Sequence, residues 1–178
     1  NASLWELRAM GIMADSAVFT EANLHAANLS NGSFTDADFT DARLDRVLLN
    51  RARADGGRFA HAKMSRAHAR RSSFRDAGFQ SADLSHAHCS GSDFTGAIFE
   101  ETDLAGSIFE STDLSRADFS SARLGGRGAR IRLQGANLSG TRLDGADLQE
   151  ADLRYVTLVK TRLSGAKLDG ARVYGVSA

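Results

Sequence analysis

The sequence predicts an all-β solenoid assembled from a five-residue unit, four units to a turn. Three observations carry that prediction. From Ala17 the chain runs in frames of five without interruption to Gly126, which is 22 units. The third residue of these units is Phe ten times and Leu eight times, with Met64, Cys89, Ala54 and Ala69 as the rest; the first is Ala fourteen times, Gly, Ser or Thr seven times, and otherwise only Val47. Phe19, Phe39, Phe59, Phe79, Phe99 and Phe119 form an unbroken series at a spacing of 20.

Each observation excludes a commoner reading. An amphipathic helix alternates apolar spacings of three and four, so it cannot place every Phe on one position of five. A half-buried strand alternates with period two, which an odd period breaks. A fixed short period signals a stacked repeat architecture, in which neighbours bury what one unit cannot bury alone. The spacing of 20 fixes the number of sides at four. Leu24, Leu44, Met64, Leu84, Leu104 and Leu124 make a second series, Leu29, Leu49, Ala69, Cys89 and Phe109 another, and Phe34, Ala54, Phe74, Phe94 and Leu114 the last. Proline is absent, so every backbone N–H is available to a ladder.

Ala22-Asn23-Leu24, Ala82-Asp83-Leu84, Ala136-Asn137-Leu138, Ala146-Asp147-Leu148 and Ala151-Asp152-Leu153 carry the motif A-(D/N)-L-x-x. The chain thereby resembles the pentapeptide-repeat family over residues 17–126 and 131–175. The resemblance implies a right-handed quadrilateral parallel β-helix. Its third and first residues would point inward and the other three outward, with about eight coils stacked at the ~4.8 Å spacing of paired strands, a rod of roughly 37 Å.

The frame slips after Leu124. Third positions resume at Leu133 and continue at Leu138, Leu143, Leu148, Leu153, Leu158, Leu163, Leu168 and Val173, so the gap of nine replaces one of ten. Arg127-Gly128-Ala129-Arg130 then reads as a four-residue corner insertion, which would place Leu143 over Phe119. The rival reading puts Ala129 in the core with one residue deleted. Four segments follow: an N-terminal cap at 1–16, where Ala9 and Ala14 are weak third positions and Trp5 and Met10 stand out; repeats at 17–126; the insertion at 127–130; and the C-terminal coils at 131–178. Past Arg172-Val173-Tyr174 no capping helix is foreseen, so missing chain, another subunit or charged residues should cover that edge. The chain begins at Asn1 and is expected to be a processed product or a piece of a longer protein.

No run approaches the ~20 apolar residues of a membrane span, no leader pattern opens the chain, and a cytoplasmic protein without membrane contact is expected. One cysteine excludes an internal disulfide framework. His86-Ala87-His88-Cys89 invites a metal reading, but Cys89 occupies an inward third position while both histidines point out. His68 and His88 share one column, two ligands where zinc needs three or four. His25 and His61 stand apart. No metal, cofactor or catalytic residue is assigned, and an enzyme is not expected.

The 22 basic and 22 acidic residues cancel, yet they are banded. Arg43, Arg46, Arg51, Arg53, Arg58, Lys63, Arg66, Arg70, Arg71 and Arg75 are opposed only by Asp45 and Asp55; nine acids and Arg116 alone follow between Asp76 and Asp118. Stacking by 20 sets Arg43 under Lys63, Arg46 under Arg66 under His86, and Arg51 under Arg71. Arg43, Arg46, Arg51, Lys63, Arg66, Arg70 and Arg71 form a candidate corner patch for an anion or an acidic partner surface. The bland alternative is solvated arginines, or pairs such as Asp55 under Arg75. The leading expectation is a protein-interaction scaffold, or a spacer segment of a larger protein or assembly, with self-association through uncapped coil ends as a further option. Direct nucleic-acid binding is not expected. Some relatives mimic duplex DNA and protect type II topoisomerases; the neutral charge, the basic belt and the lack of a helical C-terminal dimerisation segment depart from that pattern.

Overall fold

The computed structural model describes residues 3–125 and 128–177. Over them the chain winds as a right-handed quadrilateral parallel β-helix of about eight coils. Each side is one five-residue unit, too short for an extended strand. Its second residue makes a single parallel bridge to the coils on either side, and the rest is turn. Face 1 carries the Phe19 series, face 2 the Leu24 series, face 3 the Leu29 series and face 4 the Phe34 series.

One set of hydrogen bonds repeats at most units. The third residue's N–H donates to the second residue's carbonyl in the next coil (Phe39 to Arg58, 2.7 Å), and the second residue's N–H donates back to the first residue's carbonyl (Arg58 to Ala37, 2.9 Å). The next unit's first N–H closes a four-residue turn onto the third carbonyl (Ala42 to Phe39, 3.0 Å). That turn sets its fifth residue at φ near +57°, as at Ser81 (55°) and Glu101 (57°). This is the left-handed region, which a type II turn requires at its third residue.

This geometry explains the sequence grammar. The fourth residue's N–H is left over, and an Asp or Asn at the second position accepts it two residues on: Asp38 from Thr40 (3.0 Å), Asp83 from Ser85 (2.9 Å), Asp103 from Ala105 (2.9 Å). Buried Ser or Thr at the first position donates to a third-residue carbonyl one coil back, as Thr102 does to Phe79 (2.7 Å) and Ser92 to Ala69 (2.6 Å). A hydroxyl can therefore replace the alanine methyl inside the tube without leaving a buried polar group unpaired.

The core is the inward pair of each unit. Phe59 and Phe79 are both fully buried, their rings stacked 4.9 Å apart and 8° from parallel. The face 1 rings stack in the same way from Phe19 to Phe119, and Phe34, Phe74 and Phe94 on face 4 meet them edge-on or tilted. Burial of each such ring is worth roughly 1.5–3 kcal/mol.

Across the frame slip the bridge offset changes from 20 to 24 and then returns to 20. Ile108 pairs with Arg132 and Phe119 N–H donates to Arg142, setting Leu143 over Phe119; Arg132 pairs with Asp152. Four residues are therefore added between Leu124 and Ile131, which the turn bond from Ile131 N–H to Leu124 O joins at 3.1 Å. Arg127, the first residue of the expected insertion, lies outside the described residues. Ala129 takes no core position: it is half-buried, and its carbonyl accepts Gly106 N–H (3.1 Å), as a fourth residue's does elsewhere. One-residue deletion is thereby excluded.

Residues 3–16 match the repeat poorly in sequence but hold the same register, with Ser3 bridged to Asn23, Arg8 to Asn28 and Met13 to Ser33. Trp5, Met10 and Met13 lie exposed on that coil. At the opposite end the interior opens as an apolar cavity of about 140 Å³, lined by leucines from Leu138 to Leu168 and by Val173.

Ala82, 2% exposed, faces this packed interior. Ala82→Leu should overpack the column and cost about 1–3 kcal/mol, read as a lowered Tm. An unchanged Tm would contradict the inward assignment.

Candidate functional site

Where the motif asks for Asp or Asn, the belt puts cations. Arg43, Arg53, Arg58 and Lys63 occupy second positions and so cannot accept a fourth N–H. In two adjoining units, whose second residues are Ser73 and His68, a side chain one coil away accepts instead: Asp55 accepts Arg75 N–H (3.1 Å) and Asn50 accepts Arg70 N–H (3.1 Å).

The ten belt cations then divide. Arg53 pairs with Asp55 (2.8 Å), Arg58 with Asp38 (3.0 Å) and Arg75 with Asp93 (2.5 Å). Hydrogen bonds from the Thr40 hydroxyl and N–H, then Arg58, hold the Asp38 carboxyl below its ordinary range. Partial burial works to raise Asp93, but Thr95 and Arg75 outweigh it and lower its pKa, while Asp93 in turn raises that of Arg75. Among the described residues, the other seven make no ion pair: Arg43, Arg46, Arg51, Lys63, Arg66, Arg70 and Arg71. These seven are the candidate patch read from the sequence.

The fold distributes them as two ridges and their flanks. Arg43 and Lys63 are bridged neighbours on face 2. Arg46 and Arg66 are fifth residues at the corner of faces 2 and 3, and Arg51 and Arg71 at the corner of faces 3 and 4. Arg70 lies on face 3 beside the second ridge. Three grooves run between these side chains. One is lined by Arg43, Arg46, Arg66 and His86 together with Asp45 and Asp83. Another has Arg51, Arg53, Arg71 and Arg75 with Asp55 and Asp93. The groove on face 3 is lined by Asn50, Arg51, His68, Arg70 and Arg71 and has no acid in its lining.

The rings of His68 and His88 lie 5.1 Å apart and tilted by 30° on face 3, and Arg70 Nη2 lies 3.1 Å from His88 Nδ1. A guanidinium only donates, so Nδ1 accepts and the imidazole is neutral with its proton on Nε2. Burial, then the positive charge of His68, Arg70 and Arg132, lowers the pKa of His88, against a weaker pull from Glu110. Cys89 next to it is buried, and desolvation drives its thiol far above the ordinary range, which suppresses the thiolate. Among the described residues no three His, Cys, Asp or Glu side chains converge on a point, and no helix is long and apolar enough to cross a membrane.

The acidic band is partly compensated, four of its nine acids being ion-paired: Arg75 holds Asp93, Arg123 holds Asp103 (3.0 Å), Arg132 holds Glu110 (3.0 Å) and Arg142 holds Asp118 (2.8 Å). Stacking accounts for two of these pairs, since Asp103 is bridged to Arg123 and Asp118 to Arg142; Arg75 and Arg132 instead reach acids 18 and 22 residues away.

Repeated coils, a one-dimensional core and ordered outward columns define a parallel β-helical repeat protein. The family model for pentapeptide repeats matches in eight copies over residues 17–53, 58–88, 87–126 and 131–170. The chain belongs to the pentapeptide-repeat family. A trypsin-treated form of QnrB1, a plasmid-mediated fluoroquinolone resistance protein, is similar over 95% of this chain and 92% of its own at TM-score 0.74 and 18% identity. The pentapeptide repeat protein Rfr23 from the cyanobacterium Cyanothece 51142 is 31% identical over 53% of this chain and 63% of its own, at TM-score 0.50. No curated protein matches the chain.

Protonated His88 is disfavoured in the fold, so the unfolded chain takes up this proton first as pH falls. The stability from neutral His88 is complete above its ordinary pKa of 6.5 and lost as pH falls from there through its lower folded value. Asp38 and Asp93 lose theirs only below their ordinary 3.8. Between about pH 7.5 and pH 5 the urea midpoint should therefore fall more in the wild type than in His88→Gln, which still accepts from Arg70 but does not titrate. Equal slopes would remove the assignment.

Proposed function

We propose that this chain is a non-catalytic interaction scaffold that docks a protein partner through the basic patch on faces 2 and 3. The family is generally non-catalytic. The carrying observation is that seven of ten neighbouring cations lack an acid partner among the described residues, although the same chain pairs its arginines with acids elsewhere. Like charges one coil apart repel, and among the described residues no ion pair to these seven offsets that cost. A partner surface rich in carboxylates or other anions supplies it, and the rigid columns fix its orientation more than its affinity. The same rod, with its fixed rise per coil, also serves as a spacer within a larger polypeptide or assembly.

A DNA-mimicking protector of a type II topoisomerase fits these charges less well. Such a mimic needs an acidic surface along its whole length, whereas the acidic band here follows a basic belt and is interrupted by Arg75, Arg123, Arg132 and Arg142, which hold four of its nine acids. The likeness to QnrB1 at 18% identity concerns the fold alone.

The test is capture from the native cell by the wild type and by a variant with Arg46, Arg66 and Arg71 all changed to Glu. The reversal should lose a specific partner that the wild type retains, with the Tm of the rod preserved. An identical set of captured proteins would return the patch to solvated surface.

A further inference from the structure

Within the patch, one groove differs in kind from its neighbours. It is open, holds about 370 Å³, and its lining of Asn50, Arg51, His68, Arg70 and Arg71 presents three guanidiniums, an amide and an imidazole. The two other belt grooves each contain two aspartates. We infer that this groove is a binding site for a phosphate monoester, with Arg51 and Arg71 bracketing the phosphate from the corner ridge and Arg70 and Asn50 donating from face 3. The inference rests on the docking reading above and names the chemistry the patch selects.

Three features favour a dianion with several acceptor oxygens over a carboxylate. First, the charge to be neutralised is three guanidiniums on adjacent coils, which one carboxylate leaves largely uncompensated and a phosphate meets with two charges and three free oxygens. Second, the site is held in place. Arg70 is hydrogen-bonded to neutral His88 (3.1 Å), and its own backbone N–H is fixed by Asn50 (3.1 Å). His88 therefore orients this guanidinium without cancelling its charge, and acts as a positioning residue. Third, the backbone under the ridge is strained for the residues it carries. Arg51 and Arg71 sit at φ 58° and 56°, in a corner column that holds Gly11, Gly91, Gly135 and Gly175 beside Asn31, Ser111 and Tyr155. The turn accepts glycine and many other residue types at that position, so it does not itself call for arginine. Outward from Arg71 the neighbouring coil offers Gly91, which leaves room over the arginine stem.

The same strain supplies a clean test. Arg71→Gly and Arg51→Gly remove the guanidinium while relaxing the backbone, so the folded rod should keep or raise its Tm. The full chain is titrated calorimetrically at low salt with inorganic phosphate, with N-acetyl-phosphoserine amide and with acetate. Phosphate or the phosphoserine compound should bind at least about tenfold more tightly than acetate, and either glycine variant should weaken that binding by about tenfold or more. Arg58→Gln, which removes a paired arginine on face 1, should leave it unchanged. The tighter of the two phosphate probes identifies a free or a protein-borne ligand, and either result supports the site. Acetate binding as tightly as both, full affinity in Arg71→Gly, or equal weakening by Arg58→Gln overturns it. Absence of phosphate binding alongside a partner still lost in the triple reversal overturns this inference alone and leaves the docking surface standing.

Discussion

Coil-to-coil register is the constraint from which the other properties of this molecule descend. Twenty residues bring the chain back over itself, one bridge per side, and the face 1 rings then lie 4.6–5.1 Å apart in a continuous stack. Neither component suffices alone. A single bridge is too weak to hold a five-residue side, and a ring buried on one coil has nothing to pack against without the next. Together they make each coil the template for its neighbour. This is why the four added residues before Ile131 leave the architecture intact: the offset becomes 24 for one coil, every second-position bridge finds a partner, and the spacing of 20 resumes.

A lattice of this kind orders its surface as strictly as its core. An outward residue at position n has the residue at n+20 directly above it, whatever the two side chains are. Arg43 and Lys63, or Asp83 and Asp103, are neighbours because the interior demands it. In a less periodic fold, like charges would drift apart at modest cost. Here they stay adjacent, and a cation is compensated where the lattice sets an acid beside it, as it sets Asp38 beside Arg58 and Asp118 beside Arg142. The pairing pattern is thus the informative quantity, and seven belt cations fall on the uncompensated side of it.

Much of this was legible in the chain itself because the architecture is nearly one-dimensional. The Phe series reveals the number of sides, the split between Ala and Phe or Leu reveals the interior, and the gap between Leu124 and Leu133 reveals added residues. Legibility fails where side-chain identity and backbone register part company. Residues 3–16 carry Ala9 and Ala14 where Phe or Leu is usual, yet Arg8 and Met13 keep their bridges, since backbone pairing to the following coil does not require a filled interior. The charge bands were visible as columns of 20, but not which arginines would pair. That depends on side-chain reach across a corner or along a face, and Arg75 choosing Asp93 over Asp55 is a matter of rotamer rather than of spacing. The acid-free groove on face 3 was invisible for the same reason: its five lining residues become a set only through the directions their side chains take.

The repeat grammar finally separates structural residues from the rest without reference to any other chain. Asp and Asn at second positions serve the turn, since they accept the N–H two residues ahead; Ser and Thr at first positions serve the core, since they satisfy a carbonyl one coil back. Glycine at fifth positions serves the left-handed turn. Against these roles the belt stands out by density. It puts cations where the turn wants an acceptor, it sets arginines at left-handed fifth positions, and it stacks charges that repel, all within two coils. Each departure costs a fraction of a kcal/mol to about 2 kcal/mol. The core absorbs this because burial of the Phe and Leu columns is far larger in sum. A rod stabilised along its axis can thus hold an unfavourable surface in one place without unfolding there. That surplus is what allows a molecule with so plain an interior to carry a site at all.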